Sequence, residues 1–454
     1  MEIKPAYVLI YIVLCVLWAV WKWRGKRAEK RAAVTKPKER RKLRPRTPKS
    51  CADCQSESDS EVKTPREVKP WCEVKSHRGR KKRIDTEGHA CWNKECDYYG
   101  VTDARIHALV GYGHHGKGER IQDLFCQACQ TKVSARRDTA LYRLKTPAQR
   151  VGEVLAMLAE GLDVNAAVRV SNHTEATIQR WLTRAGMHGE RMHQHFFQHL
   201  ELKHIQLDEI KARLREKTQE LWMWVAIDVP SKVIPVLEVG RRTQAMANRV
   251  VHRLKETLAL GRLPVFTTDG LRQYFYALTA HWGEWVKQEG KRKPQWQVSA
   301  ELLYGQVIKR YRRRRVVRVE YVMQWGVLAE LKTRLKALGL SGRLNTAFVE
   351  RVNLTIRQGV SMLIRRTWGT AQTEGGLKLH LVWWQGYYHF IRPHLSLRVE
   401  YVQPIPRKGG QLAKRYRSRT PATPALRASA RVAAGITDHR WTVKEFLSYP
   451  LPAG

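Results

Sequence analysis

Apolar residues recur along this chain in two rhythms, and the rhythm changes near residue 200. Between residues 146 and 186 they return every three or four positions, the spacing of helices with one buried face. Val151, Leu155 and Leu158 define a first helix ending at Gly161, and a short second helix covers Asp163–Arg169. The turn Ser171-Asn172-His173 leads into a third over Thr174–Arg184, with Thr174 where a side-chain cap belongs. Ile178, Trp181, Leu182 and Ala185 face inward on that third helix. Glu175, Thr177, Gln179, Arg180 and Arg184 form its polar side, within reach of a major groove or a phosphate backbone. After residue 200 the apolar stretches shorten to strand length: His204–Ile210, Glu220–Val229, Lys232–Val239 and Pro264–Thr268, with a helical pattern over Gln244–Leu260 before the fourth. Three strands, a helix and a further strand predict an α/β domain over residues 200–400.

The flanks read differently. Residues 6–21 are uninterrupted apolar or aromatic residues followed by a basic run from Lys22. Such a stretch is slightly short for a bilayer, though Lys22 can snorkel, so residues 1–23 are expected to anchor the chain to a membrane. The basic side then stays in the cytoplasm, which places the protein at the inner face. Residues 24–87 are rich in charge, Pro and Ser and poor in large apolar residues, the composition of a disordered basic linker. Cys51, Cys54, Cys72 and His77 lie in it and are expected to be loose groups on a tether. Residues 401–454 read as a basic C-terminal tail.

Cysteines are organised at one place. Cys91 and Cys96 form one pair, Cys126 and Cys129 another, with 29 residues between the pairs. Two thiol knuckles around a β-rich insert, over residues 88–140, are the pattern of a zinc ribbon; four thiolates complete a tetrahedral Zn²⁺ and leave no open position. His107, His114 and His115 are then expected in exposed loops or against DNA rather than as ligands.

The net charge is +42, and residues 22–50 and 401–454 hold about half of it. The rest of the chain is itself basic, which predicts salt-sensitive attraction to a polyanion. With eight cysteines spaced for metal rather than for a disulfide framework, a reducing cytoplasm is the consistent compartment.

Three carboxylates stand out against this background. Asp208 ends the apolar run His204-Ile-Gln-Leu-Asp208, and Asp269 ends Pro264-Val-Phe-Thr-Thr-Asp269. Glu350 lies on a helical pattern over Asn345–Arg366, where Thr346, Glu350, Asn353 and Arg357 share a polar face and Val349, Val352 and Ile356 an apolar one. Two strand-end aspartates and a helix glutamate can hold two Mg²⁺ ions, with Mn²⁺ as a substitute, and a metal pair of that kind serves phosphoryl transfer. Glu209 neighbours Asp208, and strand alternation turns it to the opposite face. Asp228, before a Pro-Ser turn, reads as structural, and the aromatic segment Trp383–Tyr388 as core. The basic run Lys309–Arg315 is expected to touch phosphates.

The segment Asn345-Thr-Ala-Phe-Val-Glu350-Arg-Val-Asn353-Leu-Thr-Ile-Arg357 resembles the catalytic-helix signature of DDE transposases, in particular the insertion-sequence-one (IS-one) family. Leu207-Asp208-Glu209, Thr268-Asp269-Gly270 and the segment Ile391–Arg398 fit the same picture, and the resemblance extends over roughly residues 88–400. It implies a multidomain chain: a zinc ribbon, a helix-turn-helix over residues 141–190, then a ribonuclease H-like catalytic domain. It implies double-stranded DNA as partner, both the inverted repeats of a mobile element and its target, and a homo-oligomer in a synaptic complex. Asn353, Arg357 and Arg392 would contact DNA or support the carboxylates. A membrane segment is not part of the family's pattern. The alternative is a non-catalytic DNA-binding regulator derived from a transposase, and a nuclease without strand transfer is a weaker one.

Overall fold

The computed structural model of the chain describes residues 70–71, 88–103, 105–215, 220–288, 292–365, 369–400, 405–406, 412–413, 416–423 and 436–451. The apolar run 6–21, Cys51, Cys54, Cys72, His77 and most of the expected linker lie outside the described residues. Among the described residues no helix is long and apolar enough to cross a membrane. Trp71 falls within the stretch expected to be a disordered linker, but it is docked: its backbone N–H donates to Ile106, its indole N–H to Gln127, and its ring meets Tyr98 edge-on at 5.5 Å.

The cysteine region is a three-stranded antiparallel sheet, β1 (Leu109–His115), β2 (Ile121–Cys126) and β3 (Lys132–Ser134). Leu109, Leu124, Val133 and Tyr98 gather beneath it with the cysteines. That is little apolar material, and small modules of this kind rely on a metal or crosslink for stability. His107 departs from expectation: it is buried, and its Nδ1 accepts from the Leu109 N–H at 3.1 Å. His114 and His115 are exposed as expected.

Three helices follow: α1 (Ala148–Ala159), α2 (Val164–Ser171) and α3 (Glu175–Phe196). Asp163 caps α2 by accepting from the Ala166 N–H at 2.6 Å. Asn172 closes α2 in the left-handed conformation, and Thr174 caps α3. Ile178, Trp181, Leu182 and Ala185 are all buried. The third helix is longer than the predicted Thr174–Arg184. Gly186 and Gly189, poor helix formers on their own, let α8 (Glu374–Gly386) lie close against it. A Cβ on Gly186 would stand 2.5 Å from the Leu379 carbonyl oxygen.

The α/β part is built on a six-stranded mixed sheet in the order β11-β10-β7-β4-β5-β6. The strands are β4 (His204–Ala212), β5 (Leu221–Asp228), β6 (Val236–Gly240), β7 (Val265–Thr268), β10 (Leu303–Arg312) and β11 (Arg315–Trp325). β4, β7 and β10 are mutually parallel; β5, β6 and β11 run antiparallel to their neighbours. Strand β5 is buried on both faces, which is why it reads as a continuous apolar run. Trp224 and Ala226 pack with α4 (Gln244–Thr257) and α5 (Arg272–His281), whereas Met223, Val225 and Ile227 pack with α7 (Ala347–Gly359) and α8. α6 (Leu328–Ala337) covers Val265, Leu303 and Val307 at the other edge. Two-stranded ribbons are formed by β8 (Gly283–Val286) with β9 (Gln295–Val298), by β12 (His394–Glu400) with β15 (Tyr416–Arg419), and by β13 (Ile405–Pro406) with β14 (Leu412–Ala413).

The end of the chain corrects the expectation of a free basic tail. Residues 436–451 carry α9 (Val443–Ser448), held at its start by a capping box between Thr442 and Glu445. Phe446, Leu447, Trp441 and Leu451 belong to the same core as α1, α3 and the sheet. Charge suggested a tail, but burying Trp, Phe and Leu side chains at about 1.5–3 kcal/mol each is the stronger tendency. The boundary expected near residues 190–200 is likewise a continuous packed region.

Candidate functional site

The strand lengths create an opening. β7 stops at Thr268, whose partners are Leu207 on β4 and Gln306 on β10. Both neighbours continue, so a gap opens beyond Thr268 at the carboxyl ends of the parallel strands, where α/β sheets commonly bind ligands. Asp269 is the first residue past β7, and its carboxylate accepts from the Leu271 N–H at 3.0 Å. Asp208 lies on β4 beside the gap. A cavity of about 770 Å³ forms there, lined by Asp208, Asp269, Glu350, Lys309 and Arg242 among others.

Strand alternation sorts the neighbours of Asp208. Even-numbered positions of β4 face α7: Gln206 donates to the Asn345 carbonyl at 2.7 Å and accepts from the Val349 N–H at 3.0 Å, fixing the start of that helix against the strand. Asp208 therefore meets the polar face of α7, and Asn353 Nδ2 donates to Asp208 Oδ2 at 2.7 Å. The other oxygen of Asp208 accepts from the Glu209 N–H at 2.9 Å. Glu209 points to the opposite face, as expected, where Arg242 pairs with it and the Tyr274 hydroxyl lies 3.4 Å away. Yet oxygens of Asp208, Glu209 and Asp269 all lie within 4.8 Å of one another. With no strand between β4 and β10 past Thr268, carboxylates from both faces meet around the end of β7. Glu209 is thus a site residue that reasoning from alternation set aside. The available signal was the adjacent acidic pair at the end of an apolar run.

Crowding these carboxylates has an electrostatic cost. Burial, then the charges of Asp269 and Glu209, push the Asp208 carboxyl up to about 7. Burial and Asp269 likewise raise Glu209 to about 7, against the opposing effect of Arg242. Burial also raises Asp269, despite the Leu271 N–H and the charges of Arg242 and Lys309. A group of acids that resists ionising together fits a bound cation, which would neutralise it.

Glu350 lines the same cavity from α7 but lies outside the group of three carboxylates whose oxygens come within 4.8 Å of one another. One of its oxygens accepts from Thr346 Oγ1 at 2.8 Å and from the Lys309 ammonium. Lys309, at the start of the basic run, is therefore at the carboxylates, where its ammonium pairs with Glu350. Arg357 is not: it donates to the Leu363 carbonyl at 3.2 Å and is partly buried against that turn. Arg392 is joined to Glu160, at 3.7 Å, at the end of α1. Asp228 is structural, its oxygens accepting from the N–H groups of Lys203, His204 and Ser231. Trp383, Trp384 and Tyr388 are core.

No protein-family model matches this chain, and neither does any curated protein.

The second group of candidate ligands is Cys91, Cys96, Cys126 and Cys129, all free thiols with sulfurs within 4.8 Å of one another. Cys91 and Cys129 are 3.5 Å apart and Cys96 and Cys126 3.9 Å. A tetrahedron with metal–sulfur bonds of about 2.3 Å has edges of about 3.8 Å, so the set fits a thiolate-bound ion. Burial pushes Cys96 up to about 11; at Cys129 burial also raises the thiol, but hydrogen bonds with Thr131, Cys91 and Cys126 together bring it down to about 6. On α3, Gln179 and Arg180 are exposed, the Thr177 hydroxyl bonds that of Thr174, and Arg184 donates to the Tyr142 carbonyl. Of the residues on this helix expected toward DNA, Thr177 and Arg184 are thus engaged within the chain, whereas Gln179 and Arg180 remain exposed.

Proposed function

We propose that this chain is a DDE transposase that binds the ends of a mobile element and carries out metal-dependent cleavage and transfer of DNA strands. The observation that carries the reading is the meeting of Asp208 on the first strand of the α/β sheet with Asp269 at the end of the fourth, with Glu350 of a later helix in the same cavity. The order and directions of the strands in the mixed sheet support this reading, being compatible with a ribonuclease H-like fold. Asp208, Asp269 and Glu350 would hold divalent metal, Mg²⁺ by preference for oxygen ligands, with Glu209 supporting from the other face. When bound, the metal pair supplies an activated oxygen nucleophile and charge neutralisation at phosphorus. Asn353 orients Asp208, Thr346 orients Glu350, and Lys309 balances the Glu350 charge. The four cysteines would bind one structural Zn²⁺, and α2 and α3 would form a helix-turn-helix with Gln179 and Arg180 toward DNA. A synaptic homo-oligomer acting on two element ends is part of the same reading.

The test is to incubate the full-length protein with duplexes carrying the DNA that flanks its own gene, with Mg²⁺ and a target plasmid. The expected products are a nick exposing a 3′-hydroxyl at the element end and an end joined to the target. Nicks without joined product would favour a nuclease, and binding without either would favour a regulator.

A further inference from the structure

We propose that the β10–β11 hairpin is an arm that grips the backbone of duplex DNA entering the carboxylate cavity, without regard to sequence. The inference rests on the transposase reading and names the part of the chain that holds DNA beside the reacting phosphate.

The hairpin breaks local rules that the described residues compensate only in part. Arg312 and Arg315 stand directly opposite each other across the ribbon, as do Arg310 and Arg318. Like charges in such positions destabilise a hairpin. Arg310 and Arg318 share one carboxylate, Glu320, at 3.3 Å each. Among the described residues, no acid pairs with Arg312, Arg313, Arg314 or Arg315. The two loop residues Arg313 and Arg314 have φ of 48° and 65°, the left-handed region of a tight hairpin turn that favours Asn-Gly. Two arginines there store backbone strain, and uncompensated strain of this kind concentrates at functional positions.

Position supplies the partner. Ile308, Lys309 and Tyr311 line the carboxylate cavity, and the same strand then leaves it for the arginine turn. From Ile308 to Arg313 the ribbon extends about 17 Å, roughly the length of five base pairs. Both faces of the arm are open: Tyr311, Val316, Val317 and Tyr321 are all exposed. A two-stranded ribbon fits the major groove, and closely spaced guanidiniums suit phosphates on either side of it. The missing counter-charge is thus expected from outside, along the path that leads to the carboxylates.

The experiment uses the full-length chain and labelled duplexes, one of random sequence and one carrying the flanking DNA of the gene, over a range of salt. One variant is Arg313→Asn with Arg314→Gly; the other is Arg312→Ala with Arg315→Ala. The first removes two charges and relieves the turn, so it should melt higher than wild type while binding both duplexes about tenfold more weakly. Both should lower the slope of log affinity against log salt by about 2. The preference for the flanking DNA should persist, because it resides in the helices. A merely structural turn would move stability and affinity in the same direction. Unchanged affinity and slope, with a wild type that binds DNA, overturns the arm and leaves the transposase reading standing. So does a change confined to oligomeric state, which would make the arm an interface between copies. A wild type that binds neither duplex overturns both.

Discussion

Asp208 and Glu209 show what strand alternation can and cannot decide. Alternation correctly separates their faces, and the short strand beside them brings their oxygens together again around Asp269. The consequence is a measurable instability. In the unfolded chain these groups ionise near their ordinary values, but in the fold Asp208 and Glu209 are held up to about 7. A raised folded pKa means stability that is full below pH 4 and lost as pH rises through 7. Without divalent ions, Asp208→Asn should therefore melt several degrees above wild type at pH 8 and show no advantage at pH 4. Mg²⁺ should raise the wild-type melting temperature at pH 8 and not that of the variant. Calorimetry at the two pH values, in chelator and in Mg²⁺, makes the comparison; equal melts throughout would mean the carboxylates do not strain the fold. The candidate carboxylates were legible because each ends an apolar run or sits on a polar helix face. Glu209 was not, because its role depends on where a neighbouring strand stops.

Elements were legible in proportion to how local their causes are. The caps at Asp163 and Thr174 and the inner face of α3 follow from residues a few positions apart. The length of α3 does not, because Gly186 weakens the helix alone and stabilises it only against α8. Gly186→Ala, normally helpful in a helix, should here cost about 1–3 kcal/mol by forcing a methyl toward the Leu379 carbonyl; urea unfolding reads it, and a gain in stability would show that the helices are not in close contact. The β10–β11 arm was visible as charge and invisible as structure, since its valines and tyrosines are exposed. The cysteine sheet has the opposite character, with four candidate ligands plain in the sequence and almost no core. Its described part should bind one Zn²⁺ per chain, and Cys126→Ser should lose both the metal and the burial of Trp71. Elemental analysis and indole fluorescence test this together, and a folded, metal-free sheet would contradict it.

At the scale of the whole molecule, the three helices, the sheet and the last helix share one core, fastened by buried histidines. His188 bonds the Phe446 carbonyl, His193 the Pro235 carbonyl and His380 the Leu158 carbonyl. Burial lowers all three to about 4. The unfolded chain then binds more protons than the fold below about pH 6.5, so stability is lost as pH falls from there toward 4. The whole unit should loosen in acid together, seen as coincident loss of near-ultraviolet dichroism and of DNA binding; separate transitions would mean independent domains. The C-terminal helix escaped the sequence reading because its few aromatic residues are embedded in basic and Pro-rich chain, and only the groove left by α1, α3 and α8 gives them a place. Through this packing, DNA held by the helices and the arm would be brought to one cavity, and the central claim is that three carboxylates there act as a metal-dependent site on DNA strands. The most direct measurement is strand cleavage of flanking-DNA duplexes in Mg²⁺ by wild type and by Asp208→Asn, Asp269→Asn and Glu350→Gln, with binding measured on the same samples. The account predicts loss of cleavage by several orders of magnitude in each variant with binding retained. Near wild-type cleavage by any one of them would contradict it.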